Sequence, residues 1–173
     1  KLAELVGETM TDAGIGWDKA LDLFRDVLAP ATISADHPNF LSFIPAAPTE
    51  AASLFDLVVS ASSIYGGSWK EGAGAIFAEN QVLEFLAREC GLAEGAGGVF
   101  VQGGTLGNLS ALVTARQWAK AQGKLAPWAI ICSAEAHSSL AAAARVMDVE
   151  IIIAEPVASG KFNAAAADNA IAK

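Results

Sequence analysis

Two short stretches of this chain concentrate residues able to do chemistry. Gly103-Gly104-Thr105 follows the β-rich run Val99-Phe100-Val101 and precedes a long apolar pattern of helical period. Ala134-Glu135-Ala136-His137-Ser138-Ser139 follows the apolar run Trp128–Ser133 in the same way. Glycines between a strand and a helix let backbone N–H groups approach an oxyanion with no Cβ in the way. A helix opening near Thr105 aims its first unpaired amides, and the positive end of its dipole, at the same point. A phosphate suits that corner, and the Thr105 hydroxyl can add a hydrogen bond to it. The plainer reading is an ordinary turn in which Thr105 caps its own helix. His137 also has two readings. It can cap a helix beside two serines, or lie across a flat aromatic ligand whose phosphate sits at Gly104-Thr105.

Two other chemistries use similar patterns. GGTLG, Gly103 to Gly107, has the form of a nucleophile elbow with threonine in place of serine, and His137 would be its base. The chain order of such hydrolases needs an acid on a strand end between the two, and none stands there. A dinucleotide fingerprint needs a different glycine spacing and an acid about 20 residues on. Glu135 comes too late for that.

The elements that hold these stretches follow from periodicity. Residues 1–29 read as helices broken at Gly14-Ile15-Gly16, with Asp18 as a cap and Leu21, Phe24, Val27 and Leu28 on one face. Pro30 stops them. His37 to Pro48, HPNFLSFIPAAP, is irregular, and Thr49 to Ser62 returns to helix. Tyr65 to Gly74 reads as a glycine-rich loop. Ile76 to Cys90 is a strong amphipathic helix with Gly91 just past its end. Strand and helix then alternate three times: Val99–Gln102, Thr105–Gln122, Trp128–Ser133, Ser138–Met147, Glu150–Ala154, Asn163–Ala170. That rhythm predicts an α/β architecture with a parallel sheet flanked by helices. In such a sheet, ligands sit beyond the C-terminal strand ends, where both stretches lie.

Composition narrows the function classes. The 173 residues are 53% hydrophobic, above the roughly 45–50% usual for soluble domains. No run reaches the roughly 18 apolar residues of a membrane span, so the excess implies surface meant to be covered by more protein. With 19 acidic against 11 basic residues, a net charge of −8 and no basic cluster, nucleic acid is excluded as a partner. Cys90 and Cys132 have no metal-type spacing, and Cys132, in an apolar run, reads as a buried thiol. A reducing, cytoplasmic setting is the expectation.

Taken together, the motifs resemble the pyridoxal-phosphate-dependent group II amino-acid decarboxylases. This family includes the aromatic-amino-acid, histidine, glutamate and diaminobutyrate decarboxylases. The resemblance runs from His37 to the end of the chain. HPNFLSFIP is similar to the family's His-Pro-x-Phe segment near the substrate, and ENQVLEFLARECGL to its glutamate-bearing helix. GGVFVQGGTLGNLSALVTAR resembles the phosphate-cradling turn, and SAEAHSSLAAAARVM the segment bearing the ring-stacking histidine.

The resemblance implies the large domain of the aspartate aminotransferase fold type I (PLP-transferase) over 64–173, incomplete here. Residues 1–63 would form an N-terminal helical segment with a Pro-rich substrate loop. It implies pyridoxal 5'-phosphate as cofactor, with Gly103, Gly104 and Thr105 on its phosphate. His137 would stack on the ring as the catalytic residue, and Phe43, Ile44 and Pro45 would line the substrate pocket. No metal is implied. A homodimer acting on an L-amino acid is implied, with the Schiff-base lysine and the ring-nitrogen aspartate in a further, C-terminal part of the protein. Lys1, Lys19, Lys70, Lys120, Lys124, Lys161 and Lys173 stand in none of the right contexts for that lysine. After Trp69 the family's usual Ser-Pro pair is Gly72-Ala73 here, which leaves that loop's shape open. The alternatives are a non-catalytic paralogue serving as an interaction module, and the Thr105 hydrolase.

Overall fold

A computed structural model describes residues 1–155 and 161–172. The chain divides into two compact units, Lys1–Tyr65 and Gly66–Lys173. The first unit is helical. Helix α1 spans Leu2–Val6, and α2 spans Trp17–Leu23 and runs into a π-helical turn, Phe24–Leu28. The cap of α2 is Gly16, so Asp18 stands in the first turn rather than capping. There its charge still complements the helix dipole. Helix α3, Glu50–Ser62, opens on Thr49, whose hydroxyl accepts from the Ala52 amide.

In the second unit α4 spans Trp69–Glu89. The expected loop at Tyr65–Gly74 is therefore shorter, because the helix starts at Trp69 and absorbs Gly72 and Gly74. Gly72 takes a non-helical φ of −121° and is buried, so the chain kinks there without stopping. Its amide still donates to the Ser68 carbonyl at 2.9 Å. Then come α5 (Gly104–Ala121), β1 (Ala129–Ser133), α6 (Ser139–Met147), β2 (Glu150–Ala154) and α7 (Ala164–Ile171), the last capped by the Asn163 side chain. The turn expected at ASGKFN lies partly outside the described residues; Lys161 itself is exposed.

Strands β1 and β2 pair in parallel, Ala129 opposite Glu150 through Ser133 opposite Ala154. The third expected strand, Val99–Gln102, is not formed among the described residues. A strand exists by its ladder, and this run has none. The Phe100 amide donates instead to Glu79 Oε1 at 3.1 Å, and the Val101 carbonyl accepts from the Gly103 amide at 2.8 Å. The segment also presses on α4: a Cβ on Gly98 would lie 3.0 Å from Leu83 Cδ2.

Helices α5 and α6 pack on each other, and both carry the residues of interest. Arg116 of α5 donates to the Met147 carbonyl at 2.8 Å, which places a cation at the end of α6 where the dipole favours one. The core is small: Cys132, Ala143, Ala144, Met147, Ala154 and Ala166 are its buried apolar residues. Cys132 is a buried free thiol and Cys90 an exposed one. Large apolar side chains stay open, among them Phe55 at 70%, Leu57 at 67% and Trp118 at 68%. Residues 1–173 alone are therefore expected to self-associate in sedimentation velocity; a monomer with cooperative unfolding would contradict this. Among the described residues no helix is long and apolar enough to cross a membrane, and no cluster suits a metal ion.

Candidate cofactor site

The 18-residue helix α5 opens on Gly103, with φ 88° and ψ 162°, and no side chain caps it. That backbone region is open essentially to glycine alone. The Gly107 amide returns to the Gly103 carbonyl at 3.2 Å. Among the described residues, the amides of Gly104, Thr105 and Leu106 find no partner. A Cβ on Gly103 or Gly104 would meet nothing within 4 Å, and Gly103, Gly104 and Thr105 are all exposed. No acidic residue stands in the first turn to repel an anion. Thr105 is exposed and lies inside the helix rather than at its cap, so its hydroxyl does not serve as the cap. Free amides, a dipole end and a spare hydroxyl make a seat that fits a phosphate group.

His137 lies beyond the end of β1, two residues before α6 begins, and is exposed. Its Nδ1 accepts from the Ser139 amide at 3.2 Å, the first amide of α6, whose N-cap position is held by Ser138. That bond occupies only one ring nitrogen. Ser139 Oγ lies 2.9 Å from the same Nδ1, and Asn108 Nδ2 donates to that Oγ at 2.8 Å. Ser139 is 2% exposed. Asn108 stands one helical turn beyond Gly104, so this buried serine ties the imidazole to the helix that begins at the corner. The other histidine, His37, shows the contrast. Its Nδ1 accepts only from the nearby Asn39 amide, at 3.1 Å, which is a local turn.

The corner residues and His137 all belong to the second unit. Phe43, Ile44 and Pro45 belong to the first, within the irregular loop. Phe43 has a positive φ of 59° and is 84% exposed, and Ile44 is 96% exposed. A bulky residue held at positive φ carries backbone strain, which often marks functional loops. Asn108 was not singled out from the sequence, and Ser139 only as a neighbour of His137. The available signal was an asparagine one turn past the glycines in an otherwise apolar helix face. Two cavities of the second unit, of about 570 and 610 Å³, lie along α4 and α5 and include none of the corner residues or His137.

Known proteins resemble this chain over much of its length. An aromatic-L-amino-acid decarboxylase of Bacillus atrophaeus is 33% identical over 112 residues, covering 65% of this chain and 23% of that protein. An L-2,4-diaminobutyrate decarboxylase of Acinetobacter baumannii is 23% identical over 146 residues, covering 73% of this chain and 29% of that protein. The chain thus spans about a quarter of the length of these curated relatives. The crystal structure of Oryza sativa TDC with PLP and tryptamine superposes with a TM-score of 0.83 at 22% identity, over 99% of this chain and 40% of that one. The fold is thus α/β and that of a PLP-binding protein. All of residues 1–173 match the pyridoxal-dependent decarboxylase conserved domain, and the chain belongs to that family, whose cofactor is pyridoxal phosphate.

Proposed function

We propose that this chain supplies the phosphate seat and the ring-contacting imidazole of a decarboxylase acting on an L-amino acid, homodimeric in its complete form. The observation that carries the reading is the opening of α5: an exposed glycine corner at φ 88°, followed by three amides with no partner among the described residues. Gly103 shapes the corner, the amides at Gly104 and Thr105 hold the phosphate, and the Thr105 hydroxyl adds a bond. His137 lies flat on the ring and orients what is bound there. Phe43, Ile44 and Pro45 form an apolar wall that favours an aromatic or aliphatic side chain over a dicarboxylate. Pyridoxal phosphate, when bound, supplies an electron-withdrawing ring that accepts the electron pair left as carbon dioxide departs. The lysine that anchors the cofactor and the aspartate that pairs with its ring nitrogen come, on this reading, from chain beyond these residues.

The test is a titration of the full protein with pyridoxal phosphate, followed by the visible absorption of the bound cofactor. The wild type is expected to give a saturable band. Thr105→Ala should weaken retention about tenfold, the low end for a hydrogen bond to a charged group, because water can refill an exposed site. A wild-type protein that gives no band defeats the reading.

A further inference from the structure

We propose that Asn108 and Ser139 are positioning residues that fix the tautomer and the plane of His137. This rests on the functional reading above for its purpose, but not for its geometry. The proton count leaves one arrangement. The Ser139 amide points at Nδ1, so Nδ1 must offer a lone pair. Ser139 Oγ faces the same nitrogen at 2.9 Å and carries a single proton, which must therefore point at Nδ1. Having given its proton there, Oγ can only accept from Asn108, which fixes that amide with its nitrogen toward the serine, at 2.8 Å. The reverse amide orientation would claim the hydroxyl proton and leave two acceptors facing each other across the Oγ–Nδ1 contact.

With Nδ1 taken by two donors, the neutral ring carries its hydrogen on Nε2. Among the described residues nothing hydrogen-bonds Nε2, so that donor is left for whatever lies against the ring. Ser139 is buried, so water does not compete for its hydroxyl. Asn108 belongs to α5 and His137 precedes α6, so the chain of bonds also sets the ring's plane relative to the corner at Gly103-Gly104-Thr105.

The experiment is nitrogen NMR of the full protein labelled with ¹⁵N-histidine, with and without pyridoxal phosphate, combined with turnover and cofactor titration. In the wild type the His137 Nδ1 is expected to resonate as an unprotonated nitrogen and Nε2 as a protonated one. In Ser139→Ala and Asn108→Ala both lines should move part of the way toward the averaged positions of a free imidazole, since the Ser139 backbone amide still holds Nδ1 in both. Turnover should fall about 5- to 30-fold, the scale of one buried hydrogen bond, while cofactor affinity changes about twofold or less. Ser139→Thr, which keeps the hydroxyl, should restore both readouts. Should Ser139→Ala not fold, Asn108→Ala, on the exposed side of the relay, decides the matter. A protonated Nδ1 in the wild type, or ring lines unmoved in the variants, overturns the proposal. The nitrogen spectra judge the relay and the cofactor titration judges the functional reading, so either can fail alone.

Discussion

Replacing Gly103 by alanine should cut pyridoxal phosphate affinity about 10²-fold, the penalty expected when groups that must converge on a ligand are displaced by about 1 Å. The reason is backbone, not contact. A Cβ at this position meets nothing within 4 Å, so no neighbour is displaced. What alanine cannot adopt cheaply is φ 88° with ψ 162°, a region that costs a non-glycine residue about 1–3 kcal/mol. The chain either carries that strain or relaxes by turning the corner. Relaxation re-aims the amides of Gly104 and Thr105, and a phosphate held by converging N–H groups loses several bonds together. Two measurements check this: the visible titration for affinity, and urea unfolding for a stability loss of about 1–3 kcal/mol. Unchanged affinity beside a clear stability loss would mean that the corner turns the chain but holds no phosphate.

For His137→Ala the expected loss lies in turnover. On the proposed reading the ring stacks on the cofactor, a contact of about 0.5–1.5 kcal/mol beyond its area, so cofactor affinity should change by about tenfold or less. Turnover should fall about 10²- to 10³-fold if the residue both orients the reacting species and offers a proton donor at Nε2, as proposed. His137→Phe separates the two contributions. It keeps a flat ring and removes the donor, so affinity should recover while most of the turnover loss remains. Steady-state kinetics at saturating cofactor reads the effect directly. An alanine variant with an unchanged kcat would refute both roles.

Much of the local structure was legible because its causes are local. Thr49 and Asn163 each accept an amide three residues on, and the helices behind them begin where those residue types predict. Ala129–Ser133 and Glu150–Ala154 are short apolar runs, and they pair in parallel register as that pattern predicts. Val99–Gln102 has the same local signature and forms no strand, because its state is decided by which backbone lies beside it. Glycine misled at Gly72 and Gly74, where α4 runs on through a kink. The corner at Gly103 was legible as a geometry, since strand-like run, glycine pair and helix each leave a pattern. The relay through Ser139 was not. Asn108 and Ser139 are 31 residues apart, and only the packing of α5 on α6 brings them within 2.8 Å. The positive φ at Phe43 left no signal either, since phenylalanine carries no preference for that region.

The most direct measurement is a crystal structure of the full protein grown with pyridoxal phosphate. The account predicts the phosphate within hydrogen-bonding distance of the Gly104 and Thr105 amides and the Thr105 hydroxyl, with the His137 imidazole stacked on the pyridine ring. A phosphate bound elsewhere, with those amides facing solvent or packed protein, would contradict it.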